Sequence, residues 1–108
     1  MLPKKNRADT KTVEKIFKEG KLFSSPNLTF RFLIIKDNQN RRISVIVPKA
    51  VTKLAVKRNL LRRRGYNALK KFITQFPADI VGVLVFKKYR DDVLIIENEI
   101  KSILNKIN

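Results

Sequence analysis

Apolar and polar positions along this 108-residue chain switch between a helical and a strand-like period, and the switches mark out its elements. Val13, Ile16 and Phe17 fall at helical spacing, with Asp9 and Thr10 as candidate N-caps and Gly20 as a natural stop. Ser24-Ser25-Pro26-Asn27 reads as a loop. Leu28 to Lys36, rich in Phe, Ile and Leu, predicts a strand, and Asp37-Asn38-Gln39-Asn40 a turn. From Arg42 to Val47, Ile43, Val45 and Val47 alternate with Arg42, Ser44 and Ile46, the pattern of a second strand. These two strands are expected to pair as an antiparallel hairpin. Pro48 ends the second, and a long helix is predicted from Thr52 to Gln75, closed by Pro77, which disfavours helical geometry at Phe76. Ala78 to Phe86 is almost wholly apolar, as in a strand buried on both faces. Asp91 or Asp92 caps a last helix with the stripe Val93, Ile96, Ile100, Ile103, Leu104 and Ile107. The order α-β-β-α-β-α predicts an α+β fold, a small mixed sheet with packed helices, as one domain over residues 1–108.

Composition narrows the function. Hydrophobic residues make up 44% of the chain, enough to build a core despite 31% charged residues. The net charge of +16 is self-repulsive in a chain this small, and a polyanion would relieve it, so nucleic acid is the leading partner class. With no cysteine, disulfides and thiolate metal sites are excluded. With no histidine, so are a histidine general base, a Ser-His triad and a histidine-ligated metal. The three glycines form no phosphate-binding fingerprint. Met1 to Arg7 has charge but no apolar stretch of the signal-peptide kind, and the apolar runs are far short of a membrane span. The expected location is the cytoplasm, away from membranes.

The charge is concentrated. Lys57, Arg58, Arg62, Arg63 and Arg64 fall within eight residues of the long helix. No acid occurs between Asp37 and Asp79, so Lys49, Lys53 and this cluster have no local carboxylate, and a helix laced with i,i+4 salt bridges is excluded. On a wheel of about 100° per residue, Leu54, Leu61, Gly65, Ala68, Leu69, Phe72, Ile73 and Phe76 share one side and Arg63, Asn67, Lys70, Lys71 and Thr74 the other. Arg58 and Arg62 lie close to the azimuth of Leu69 and Phe76. Either the helix start projects beyond the sheet or a cleft runs past it. Arginine's planar fork binds phosphate bidentately and stacks on bases. Gly65 faces the core and suits close packing. Phe17, Phe30 and Phe32 are core candidates, although an aromatic on an uncovered sheet face would stack an unpaired base. Helix capping accounts for Asp91 and Asp92 better than metal binding does.

The stretch Val47-Pro48-Lys49 through Ala55-Val56-Lys57-Arg58-Asn59-Leu60-Leu61-Arg62-Arg63 resembles the signature of the bacterial ribonuclease P protein component. Ala55, Val56, Arg58, Asn59, Leu61, Arg62 and Arg63 fill its places, and Ile16-Phe17-Lys18-Glu19-Gly20 resembles the end of that family's first helix. Three features depart from the pattern. Leu60 stands where a basic residue is common, Val13 where phenylalanine is common, and the Lys49-to-Ala55 spacing is one residue long. Arg64, from the next turn, is placed to compensate for Leu60.

The resemblance implies a ribonucleoprotein enzyme. A catalytic RNA subunit, using Mg2+, removes the 5′ leader of precursor tRNA, and the protein has no catalytic residue of its own. Lys49, Lys53, Lys57, Arg58, Asn59, Arg62, Arg63 and Arg64 would contact RNA, and Phe17 with Phe30 or Phe32 would line a leader cleft with Arg7 near its mouth. The resemblance also implies a left-handed β-α-β crossover around the arginine-rich helix, as in the second domain of ribosomal protein S5. The alternative is a non-enzymatic protein that binds structured RNA, ribosomal or an assembly factor. A helix-turn-helix DNA reader is disfavoured because a strand and Pro48-Lys49 precede the basic helix. A membrane-surface helix is disfavoured because the core needs the apolar face.

Overall fold

The computed structural model describes residues 10–35 and 41–107. Arg7, Asp9 and the turn Asp37-Asn38-Gln39-Asn40 lie outside the described residues. The elements are α1 (Thr10–Glu19), β1 (Lys21–Ser24), β2 (Leu28–Ile34), β3 (Arg42–Ile46), α2 (Ala55–Phe72), a 3-10 turn (Ile73–Gln75), β4 (Ile80–Phe86) and α3 (Val93–Ile107). The architecture is α+β, and β1 is an addition to the expected order. It has only four residues and an exposed, lysine-led edge, which is why no periodicity announced it. The loop is accordingly one residue shorter than expected, since Ser24 belongs to β1.

The sheet order is β1-β2-β4-β3. β2 runs antiparallel to β4, whereas β3 runs parallel to it, so the expected β2–β3 hairpin does not form. The physical reason is the composition of β4. Its run IVGVLVF is apolar on both faces, which suits only a central position, and it inserts between the two strands that precede it. β3 and β4 are joined through α2.

Alternation gives the sheet two different faces. On one, Phe23, Phe30, Phe32, Ile43, Val45, Ile80, Leu84 and Phe86 pack with Leu61, Tyr66, Ala68 and Leu69 of α2 and Ile96, Ile100, Ile103 and Leu104 of α3. Two glycines permit that packing. A Cβ on Gly65 would lie 2.9 Å from Val45 Cγ1, so α2 approaches the sheet more closely than alanine would allow. A Cβ on Gly82 would lie 2.7 Å from the Phe30 ring, which is laid across β4. On the other face, Val13 and Ile16 of α1 pack on Leu33, Val81, Val83, Val85 and Ile46.

The ends of the elements follow local chemistry. Pro77 leaves Phe76 extended at φ −74° and ψ 152°, and Arg41 Nε donates to the Phe76 carbonyl at 2.7 Å. Asp92, not Asp91, caps α3, its Oδ1 accepting from the backbone N–H of Leu94 at 3.0 Å. Glu99 of α3 is buried and holds the β1–β2 loop, accepting from the Ser25 hydroxyl, from Asn27 N at 2.7 Å and from Asn27 Nδ2 at 2.6 Å.

Candidate nucleic-acid interface

The start of α2 is built unlike the rest of the molecule. Its buried residues begin at Leu61, so Ala55 to Leu60 stand clear of the core, and Leu54 and Val56 are 58% and 78% exposed. Of the two readings of the Arg58–Arg62 azimuth, the projecting helix start is the one found. Leu54, which the wheel grouped with the core side, lies outside it.

This start also lacks what stabilises a helix N-terminus. The N-cap is Leu54, with no side-chain hydrogen bond, and the first turn contains no acid. It places Lys57 and Arg58 at the positive end of the helix dipole, where each cation is disfavoured by about 0.3–1 kcal/mol. At the start of α3, by contrast, Asp92 supplies both a cap and a negative charge. A free N-terminus ringed by cations is a locally unfavourable arrangement that an anion would correct.

The side chains are arranged to suit. Arg58 Nη1 donates to the carbonyls of Thr52 at 3.0 Å and Lys53 at 2.8 Å, so this arginine also ties down the turn that enters the helix. Asn59 Oδ1 accepts from Arg62 Nη1 at 2.9 Å and orients that guanidinium. Lys49, Lys53, Lys57 and Arg63 are exposed. Among the described residues, Arg58, Arg62, Arg63 and Arg64 have no carboxylate partner; in this basic run only Lys71 finds one, Glu97 of α3, at 2.7 Å. Leu60 borders a recess of about 260 Å³ with Arg63, Arg64 and Asn67, and the buried Arg64 Nε has no hydrogen-bond partner among the described residues. Leu60 and Arg64 thus share one recess.

The aromatic candidates separate. Phe17 is 44% exposed on α1, and the Arg31 guanidinium lies 5.4 Å from its ring centroid. Phe30 and Phe32 are 1% and 5% exposed, on the face covered by α2 and α3. Alternation turns both rings to the side of β2 opposite α1, although Phe32 also borders a recess of about 300 Å³ with Glu19 at the end of α1. On the α1 side of β2, Arg31 stands in a cross-strand row with Leu22, Val83 and Ser44, and Leu33 in the next row with Val81 and Arg42. Arg31 went unnoticed in the sequence, although an arginine between two buried phenylalanines was its signal. Elsewhere, a recess of about 330 Å³ lined by Lys21, Phe23, Phe32, Ile34, Pro77, Asp79, Lys106 and Ile107 opens at the opposite end of the sheet from the start of α2. Among the described residues, no cluster of acidic side chains is arranged to hold a metal ion, and no helix is long and apolar enough to cross a membrane.

A four-stranded mixed sheet, a cation-ringed projecting helix and an arginine-bearing sheet face define a small, strongly basic α+β protein. The chain belongs to the ribonuclease P family, whose profile, described as Ribonuclease P, matches residues 2–108. It is thereby a subunit of ribonuclease P, acting in tRNA 5′-end processing in partnership with the RNA of that enzyme. Solved structures share its fold. The Staphylococcus aureus RNase P protein superposes with a TM-score of 0.79 at 19% identity, over 94% of this chain and 95% of that one. The Thermotoga maritima RNase P protein gives 0.80 at 20%, over 94% and 97%. No curated protein sequence matches the chain.

Proposed function

We propose that the start of α2 docks on the catalytic RNA of ribonuclease P while the sheet face beside α1 receives the 5′ leader of precursor tRNA. The RNA, with Mg2+, carries out the phosphodiester hydrolysis in the cytoplasm, and the protein strengthens the hold on substrate. One observation carries the reading: α2 begins uncapped, free of acids and clear of the core, with Lys57, Arg58, Arg62 and Arg63 around it. Phosphates of a folded RNA supply the missing negative charge, and their neutralisation makes binding steeply salt-dependent. Lys49, Lys53, Asn59 and Arg64 complete the surface. On the other side of the sheet, Phe17 offers a stacking ring and Arg31 a cation to an extended strand.

Reconstitution tests this. Added to a bacterial-type catalytic RNA at low Mg2+, the protein should stimulate removal of the leader from precursor tRNA. Absence of stimulation by folded protein with competent RNA would overturn the proposal. Arg62→Ala and Arg63→Ala should each weaken RNA binding by about 1–3 kcal/mol with circular dichroism unchanged. Arg58→Ala is the less clean variant, because it also removes the bonds to Thr52 and Lys53.

A further inference from the structure

The loop between β4 and α3 brings a second group of cations to the start of α2. Lys87, Lys88 and Arg90 are exposed and flank Tyr89, which is itself 38% exposed. Lys57 of α2 reaches across, its Nζ 5.6 Å from the centre of that ring. The loop is tied at both ends: Lys87 N donates to the Asn27 carbonyl at 2.8 Å, and Asp92 caps α3. Tyr89 is therefore held in place by a short anchored loop, and presenting it to a partner requires little ordering. Asp91 meets the tyrosine at its hydroxyl, 3.5 Å from the oxygen, and not at the ring.

An exposed aromatic ring without charged neighbours would suit a protein partner. A ring with a lysine against it and three further cations alongside suits a nucleotide, which offers a base to stack and phosphates to neutralise. We infer that Tyr89 is a stacking platform for an unpaired nucleotide of the RNA that docks on α2, with Lys57, Lys87, Lys88 and Arg90 contacting its phosphates. Continuity with α2 through Lys57 assigns the nucleotide to the RNA subunit and not to the tRNA leader. The inference rests on the reading of α2 as the RNA-docking helix.

The chain contains no tryptophan, so Tyr89→Trp creates a single fluorescent reporter at this position. Titrating the full-length variant with the catalytic RNA should quench its emission, as stacking on a base does. Tyr89→Ala should weaken binding of that RNA by between about 5-fold and about 100-fold, whereas Tyr89→Phe, which keeps the ring, should bind as the unmodified protein does. Unchanged emission at saturating RNA, or unchanged affinity of Tyr89→Ala, would overturn the inference. Quenching by precursor tRNA but not by the catalytic RNA would overturn the assignment to the RNA subunit. Stimulation of leader removal by the unmodified protein tests the docking reading separately, so the two failures are distinguishable.

Discussion

The two faces of the sheet share their strands and are treated in opposite ways. One is sealed by α2 and α3 over a row of aromatic rings: Phe23 and Phe30 each lie 5.5 Å from Phe32, and Phe30 lies 5.7 Å from Phe76. The other is met by α1, and its rows set Arg31, Arg42 and Ser44 among aliphatics, with Phe17 left exposed at its border. Aromatic content alone therefore does not tell the open face from the sealed one in this molecule. The aromatic-rich face is the core, and the face beside α1 is distinguished by Arg31 of β2 and Arg42 of β3.

Phe30→Ala is the harshest test of that division. Phe30 is 1% exposed and its ring fits the space left by Gly82, so its removal leaves a cavity in the core. A loss of about 3–5 kcal/mol is expected in urea or thermal unfolding. A loss below about 1 kcal/mol would mean that the two faces do not differ in kind.

How far the sequence discloses this arrangement depends on whether the cause is local. The apolar run of β4 announces a strand buried on both faces, and the acid-free run from Lys49 to Lys71 announces a cationic helix. Pro77, Asp92 and Gly65 act where their local chemistry says they should. The strand neighbours were not legible, because chain adjacency favours a β2–β3 hairpin while the burial of β4 requires a partner on each side, and burial prevails. The side of β2 that faces α1 depends on where the helices pack, so choosing between Phe30 and Arg31 required the fold. The approach of Tyr89 to Lys57 joins residues far apart in sequence, and no spacing rule reports it.

The sealed face includes a buried carboxylate among its fastenings, and pH should reveal it. Burial works against the charge on Glu99, but bonds from the Ser25 hydroxyl, the Asn27 side chain and the backbone N–H groups of Asn27 and Leu28 outweigh it and hold the carboxyl below its ordinary value of 4.5. A depressed folded-state value gives stability that is present above 4.5 and lost as pH falls through the folded value. Unfolding free energy should therefore decline on acidification below 4.5, in part through this group. Glu99→Gln should cost about 1–3 kcal/mol at neutral pH and flatten the acid decline, measured by urea unfolding across pH. An unchanged acid slope in the variant would remove Glu99 from the account of the sealed face.

Phe17→Ala should have the smallest effect on stability and the sharpest on function. With 44% of the residue exposed, the ring contributes packing at its edge and a contact with the Arg31 guanidinium at 5.4 Å. An exposed cation–π contact is worth about 0.5–1 kcal/mol, so the melting curve should move little. If the face beside α1 holds the leader, losing the ring should lower affinity for precursor tRNA by about 1–3 kcal/mol while leaving affinity for mature tRNA unchanged, both measured with the catalytic RNA present. A stability loss as large as that of Phe30→Ala would place Phe17 functionally with the core and erase the contrast between the faces. An equal loss of affinity for both tRNAs would move the ring's role away from the leader. Phe17→Leu separates the remaining contributions, since it keeps an apolar side chain at this position of α1 and removes the aromatic surface available to Arg31 or to a base.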